Sequence, residues 1–161
     1  MPRRKQRLLI TGMICAVCVA VLLIVLLQGS GQVVRFTPPP FEETAVAGVP
    51  ELTAADGYQP IDARLFRFSI CGALSLEDGA ADVWLTNDAE NSVWMKVRLS
   101  DTEGNVLGET GLIRPGEYVQ RVRLVSPPQM TTDVVLTVMS YEPETYYSMG
   151  SVTLYTSLLV P

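Results

Sequence analysis

The sequence predicts an all-β domain, an immunoglobulin-like antiparallel sandwich, carried behind one N-terminal transmembrane helix and a Pro/Gly/acidic stalk. Three observations predict it. Residues Leu8 to Leu27 form an apolar run without a charged residue. Beyond Pro60, short runs alternate apolar and polar residues with the period of two that marks a half-buried strand, and no stretch there keeps a helical period. Roughly 100 residues follow that point, the size of one immunoglobulin-like sandwich and enough for one core.

The apolar run is long enough to cross a bilayer: at about 1.5 Å per residue, Leu8 to Leu27 spans roughly 30 Å as a helix. Arg3, Arg4, Lys5 and Arg7 precede it, whereas Arg35, Glu42 and Glu43 are the first charges after it. The positive-inside bias therefore predicts a cytoplasmic tail over residues 1–7 and an exterior position for residue 28 onward. A cleaved signal peptide is the competing reading, and Gln28-Gly29-Ser30-Gly31 offers it a poor small-x-small site. Its apolar core would run to only about 7–15 residues, so an anchor is expected. Arg3-Arg4 lacks the rest of a twin-arginine signal, and neither Cys15 nor Cys18 follows the small residues that lipid attachment requires. Within the run, Gly12, Ala16 and Ala20 recur every four residues, a small-xxx-small stripe that permits close helix approach and a homodimer through the helix.

Residues 28–60 change to Gly, Pro, Ala, Thr and Glu, with Pro38-Pro39-Pro40, Gly48-Val49-Pro50 and Gly57, and read as a stalk. Its flexible reach is near 30 Å, lengthened by proline. The alternative is that part of it, Val33 to Phe36, packs on the domain as an extra edge strand. The sandwich is assigned to residues 61–161 and shows seven runs. In the first, Phe66, Phe68, Ile70, Leu74 and Leu76 share one parity and Glu77-Asp78-Gly79 closes it. Val83 to Thr86 and Val93 to Leu99 follow, the latter alternating Val93, Met95, Val97 and Leu99 with Trp94, Lys96 and Arg98. Asp101 to Asn105 is turn chemistry before Val106 to Thr110, and Arg114-Pro115-Gly116 is another before Tyr118 to Val125. Pro127-Pro128 ends that strand, and Val134 to Tyr141 and Val152 to Leu159 complete the set.

Composition removes several functions. The chain has 12 Lys and Arg against 17 Asp and Glu; with four basic residues before the apolar run, the remainder carries 8 against 17, a net −9. An acidic exterior lacks the basic footprint that nucleic acid or anionic head groups demand, so no nucleic-acid partner is expected. The sequence contains no histidine, the usual general base, triad member and zinc ligand. Cys71 is the one cysteine beyond the apolar run and reads as a small buried hydrophobe, so no disulfide is expected inside the domain. The Cys15-x-x-Cys18 spacing carries no redox meaning within lipid. Acidic residues fall in turns with no sign of a cleft, and the serines have no histidine partner, so no catalytic residue and no cofactor are assigned.

Three constellations remain. Asp101-x-Glu103-x-Asn105 has calcium-loop oxygens, but the twelfth position is Leu112 rather than a bidentate Glu, so a plain hairpin turn is expected. Asn87-Asp88-Ala89-Glu90-Asn91 reads as a solvated turn at one tip. Trp84 and Trp94 have inward neighbours on both sides, which points both indoles outward. If Leu85 opposes Val93 across a hairpin, the indoles pair, with Lys96 and Arg98 alongside as a partner surface. The alternative is that the stalk or an edge strand covers them, or that one is the core tryptophan of a sandwich. Lys96 reads as solvated, a position where Ala should hardly matter.

The same residues carry a resemblance. The order Phe41 with Ala47-Gly48, Glu77-Asp78-Gly79, Asn87 with Asn91, Val97-x-Leu99-x-Asp101, Gly104-x-Val106, Gly111-x-Ile113-x-Pro115-Gly116 and Gly150 before a closing apolar strand resembles an uncharacterised family of small single-pass, membrane-anchored exported β-sandwich proteins of Gram-positive bacteria of the clostridial type. The chain departs from it at Pro127-Pro128. The resemblance implies place and fold and brings no functional residue with it. The expectation is thus a non-catalytic, membrane-anchored extracytoplasmic binding or assembly protein, in contact with the bilayer through residues 8–27 and with an unknown protein or envelope partner. A structural accessory subunit of an envelope-spanning conjugation or secretion apparatus is the alternative, and an envelope-polymer hydrolase a distant third.

Overall fold

A computed structural model describes residues 36–161, in which Pro38–Pro161 forms a compact unit. The apolar run and its stripe of Gly12, Ala16 and Ala20 lie outside the described residues, as do Val33 to Arg35. Among the described residues no helix is long and apolar enough to cross a membrane.

The unit is all-β. Its strands are β1 (Val46–Ala47), β2 (Tyr58–Ala63), β3 (Phe66–Cys71), β4 (Leu74–Glu77), β5 (Ala80–Asn87), β6 (Trp94–Asp101), β7 (Val106–Glu109), β8 (Glu117–Arg123), β9 (Thr132–Tyr141) and β10 (Ser148–Leu159). They hydrogen-bond into a curled sheet whose path runs β1-β8-β5-β4-β10-β9-β6-β7, with β3 between β2 and β5. The pairing is antiparallel except where β4 meets β10, at Leu74 with Leu158 and Ser75 with Leu159. That short parallel contact joins a half built on β5 to a half built on β9.

The first apolar run is one strand in two pieces. Both β3 and β4 pair with β5, at Phe68 with Asn87 and at Leu76 with Ala81. The break at Gly72-Ala73 lets the first piece take β2 as its other neighbour and the second take β10. Parity survives the break, so Phe66, Phe68, Ile70, Leu74 and Leu76 all face the interior and are buried. There they meet Val83, Leu85, Val97, Leu99, Val122, Leu136 and Leu158 from the other strands, forming a core to which both halves of the sheet contribute. Asp78 and Gly79, at φ 50° and 75°, make the tight left-handed turn that fixes the β4–β5 register.

The domain begins at Pro38 rather than near Pro60, which corrects the stalk reading for its second part. Glu42 N–H donates to the Leu112 carbonyl and Leu112 N–H to the Pro40 carbonyl, each at 2.9 Å. Farther on, Val46 pairs with Tyr118. Thr53 and Asp56 close a capping box on the 3₁₀ turn Ala54–Asp56 before β2 begins. Composition hid this because the contacts are backbone pairings to a distant strand. Pro60 also disguised β2, yet an edge strand tolerates proline where its missing N–H has no ladder partner.

Candidate functional site

Strand β6 divides its side chains cleanly. Met95, Val97 and Leu99 are fully buried, which leaves Trp94, Lys96 and Arg98 on the outer face. Trp94 is half-buried there because Phe41 meets it edge-on, with centroids 4.8 Å apart and planes at 78°. Tyr146, at φ 60° in the β9–β10 connection, closes the other side at 5.4 Å. The Arg114 guanidinium lies 3.7 Å from the Phe41 ring centroid, a cation–π contact.

The backbone explains why Phe41 reaches this face. Gly111 N–H donates to Glu42 Oε2 at 2.7 Å, and a Cβ on Gly111 would lie 2.6 Å from Glu42 N and 2.7 Å from the Phe41 carbonyl carbon. Only glycine admits the strap so close. Burial pushes the Glu42 carboxyl up, but hydrogen bonds from Thr44 and Gly111 outweigh it and hold the group below its ordinary value.

Lys96 is not solvated. Its side chain is 8% exposed and its Nζ sits 2.8 Å from Glu109 Oε1, while Arg98 reaches Glu109 Oε2 at 3.0 Å. Burial raises the Glu109 carboxyl; the hydrogen bonds and charges of Lys96 and Arg98 more than reverse this and keep it ionised. The outer face of β6 is covered at its centre, because Glu109 on β7 folds over it and Met139 on β9 stands directly opposite Lys96. Lys96 thus serves the fold through an ion pair whose lysine end is buried and whose carboxylate end is exposed, and its replacement by Ala would leave Glu109 to Arg98 alone. Of the basic residues expected on this surface, Arg98 is the half-exposed one.

Trp84 stands elsewhere. Strands β5 and β6 are not hydrogen-bonded to each other and belong to different halves of the sheet, so no cross-strand pair of tryptophans forms. Trp84 sits at φ 50° within the irregularity between Asp82 and Leu85, and stacks on Tyr118 with centroids 6.0 Å apart and planes at 22°. The connection that separates the strands is solvated at its tip, where Ala89 and Glu90 are exposed, and tied down at its two ends. Buried Asn87 donates through Nδ2 to the carbonyls of Val93 and Ile113, at 2.8 and 3.1 Å, and accepts from Asn91 Nδ2 at 2.8 Å. Asn91 Oδ1 in turn accepts the Arg67 N–H at 3.0 Å. A loop held this way crosses between halves instead of turning back.

A cleft of about 420 Å³ runs between β7 and β8, lined by Glu42, Thr44, Glu109, Thr110, Tyr118, Gln120 and Arg123 among others. Arg121, which also lines it, is engaged by Asp82 at 2.6 Å and by Glu77. Two carboxylates that line the cleft, Glu42 and Glu109, are held below their ordinary values by the donors around them rather than poised to carry a proton. Cys71 is buried, and burial, then the nearby Asp56 and Asp82 charges, push its thiol up, away from nucleophilic thiolate. At the β6–β7 turn the Asp101 carboxylate accepts from Glu103 N–H, Asn105 N–H and Asn105 Nδ2, at 2.8–2.9 Å, so its oxygens serve the turn. Among the described residues no group of three His, Cys, Asp or Glu side chains is placed to hold a metal ion.

The structure therefore sets Trp94, Lys96 and Arg98 on one face and Trp84 on another. Phe41, Tyr146 and Arg114, which complete the aromatic group at Trp94, carry no periodic signal because they lie in a strap and in turns, whereas Tyr118 falls on the run already read as a strand. Compared with known proteins, the chain matches no family model and no curated protein at a significant level.

Proposed function

We propose that the chain is a non-catalytic binding or assembly protein, held to a membrane by residues 8–27 and presenting an immunoglobulin-like β-sandwich outside the cytoplasm. The anchor rests on the uncharged apolar run with four basic residues before it. The sandwich reading is favoured by strand order: β8 and β5 with β3 and β4 on one side, β10-β9-β6-β7 on the other, as such sandwiches pair their strands.

The observation that carries the binding reading is the outward Trp94 platform. Tryptophan and arginine dominate binding hot spots, and an aromatic already fixed by neighbours loses little freedom when a partner docks. Phe41, Tyr146 and Arg114 supply that fixation. The test of placement is protease added to intact cells stripped of their wall. The domain should be digested, leaving a short membrane-embedded stub; a protected domain would reverse the orientation, and free protein in the medium beginning near Gln32 would make the run a cleaved signal.

A further inference from the structure

We propose that the open edge of β10 is an interface on which a second copy of this chain pairs, β10 against β10, in antiparallel register about Thr153. Along its whole length β10 is bonded to β9 on one side, but on the other it meets β4 only at Leu158 and Leu159. Among the described residues, Ser148–Ser157 thus have no strand partner on that side; the contacts there are from the Thr156 hydroxyl to the Gly72 carbonyl and, at Gly150, from Ser140 Oγ to its carbonyl at 3.1 Å and from its N–H to Ser148 Oγ at 3.4 Å. Exposed edges are normally protected by charge, proline or shortness. This strand has 12 residues, and from Thr145 to Val160 there is neither a charged residue nor a proline.

Charge sets where a second copy can approach. From Pro38 onward seven Lys and Arg stand against 17 Asp and Glu, a net −10, so two copies repel over most of their surfaces. The uncharged β10 strip is where that repulsion is least. The strand is also complementary to itself. With a two-fold axis at Thr153, Val152 of each copy faces Leu154 of the other, and Tyr155 faces Ser151. Val152 and Leu154 pack on the core yet remain only partly buried, while Tyr155 is 82% exposed. Pairing would cover the first two and place like beside like, with a Thr–Thr pair on the axis, the arrangement of an isologous dimer. Two four-stranded layers would become one continuous sheet across the dimer.

The test is disulfide mapping in the full chain, in detergent, with Cys15, Cys18 and Cys71 replaced by Ala. Directly opposed residues in an antiparallel pair lie about 4.5–5.5 Å apart at Cα, within the range a disulfide spans. On mild oxidation T153C should become a disulfide dimer, S151C alone should not, and a mixture of S151C and Y155C chains should cross-link to each other. Adding T153K to both chains of that mixture sets like charges on the axis and should abolish the cross-link. The proposal is overturned if T153C cross-links no better than S151C, if the mixture stays linked with T153K, or if T153C joins a different protein instead.

Discussion

Val97→Asp is expected to leave the chain without a cooperative fold. Val97 is fully buried in the centre of β6, opposite Val138, and its N–H donates to Thr110 Oγ1 at 3.0 Å. No cation faces that side of the strand, since Lys96 and Arg98 point the other way. An unpaired carboxylate there costs several kcal/mol even after relaxation, on the scale of the ~5–15 kcal/mol that holds a domain together. Val97→Thr keeps the shape and buries only a hydroxyl, with a cost of about 1–3 kcal/mol, and should still fold. Circular dichroism with denaturant unfolding separates the two: a shifted but cooperative transition for Thr, none for Asp. A cooperative transition for Asp would mean that this face of β6 is wet.

Gly111→Ala carries the second large effect. The added methyl would meet backbone atoms of Phe41 and Glu42 at 2.6–2.8 Å, which side-chain adjustment cannot relieve. The strap must move, at about 3 kcal/mol, the upper range for overpacking. Trp94 then loses Phe41 from its edge, so acrylamide should quench its fluorescence more strongly than in the parent chain. Gly72→Ala is the control, because its nearest new contact is at 3.8 Å and should leave both stability and quenching unchanged. Equal behaviour of the two variants would show that the strap does not depend on Gly111.

The strands were legible where period two is long and turns are explicit. Val93 to Leu99 and Val134 to Tyr141 need nothing beyond alternation, and Asp78-Gly79 announces its own hairpin. The strap from Phe41 to Ala47 was not legible, since what holds it is backbone pairing to Leu112 and Tyr118, far along the chain. Gly111 offered a trace of it, a glycine inside an otherwise extended stretch, which can mark a close backbone approach. The tryptophan pairing failed for a different reason. Strands adjacent in sequence need not be adjacent in space: Asn87 ties the connection to Val93 and Ile113, and β6 joins the other half. Parity gives the face of a side chain and says nothing of which sheet it faces out from. Lys96 shows the same limit: its parity is outward, but Glu109 covers it.

The binding claim is tested most directly by photo-crosslinking in living cells. A photoreactive phenylalanine analogue placed at Tyr146, beside Trp94 on the outer platform, should trap one envelope component, and Trp94→Ala in the same chain should reduce that product at least about tenfold, the equivalent of 1.4 kcal/mol. The same probe at Val125, exposed and apart from the aromatic groups, should trap nothing specific. Identical products at both positions, or a product at Tyr146 indifferent to Trp94→Ala, would contradict the account.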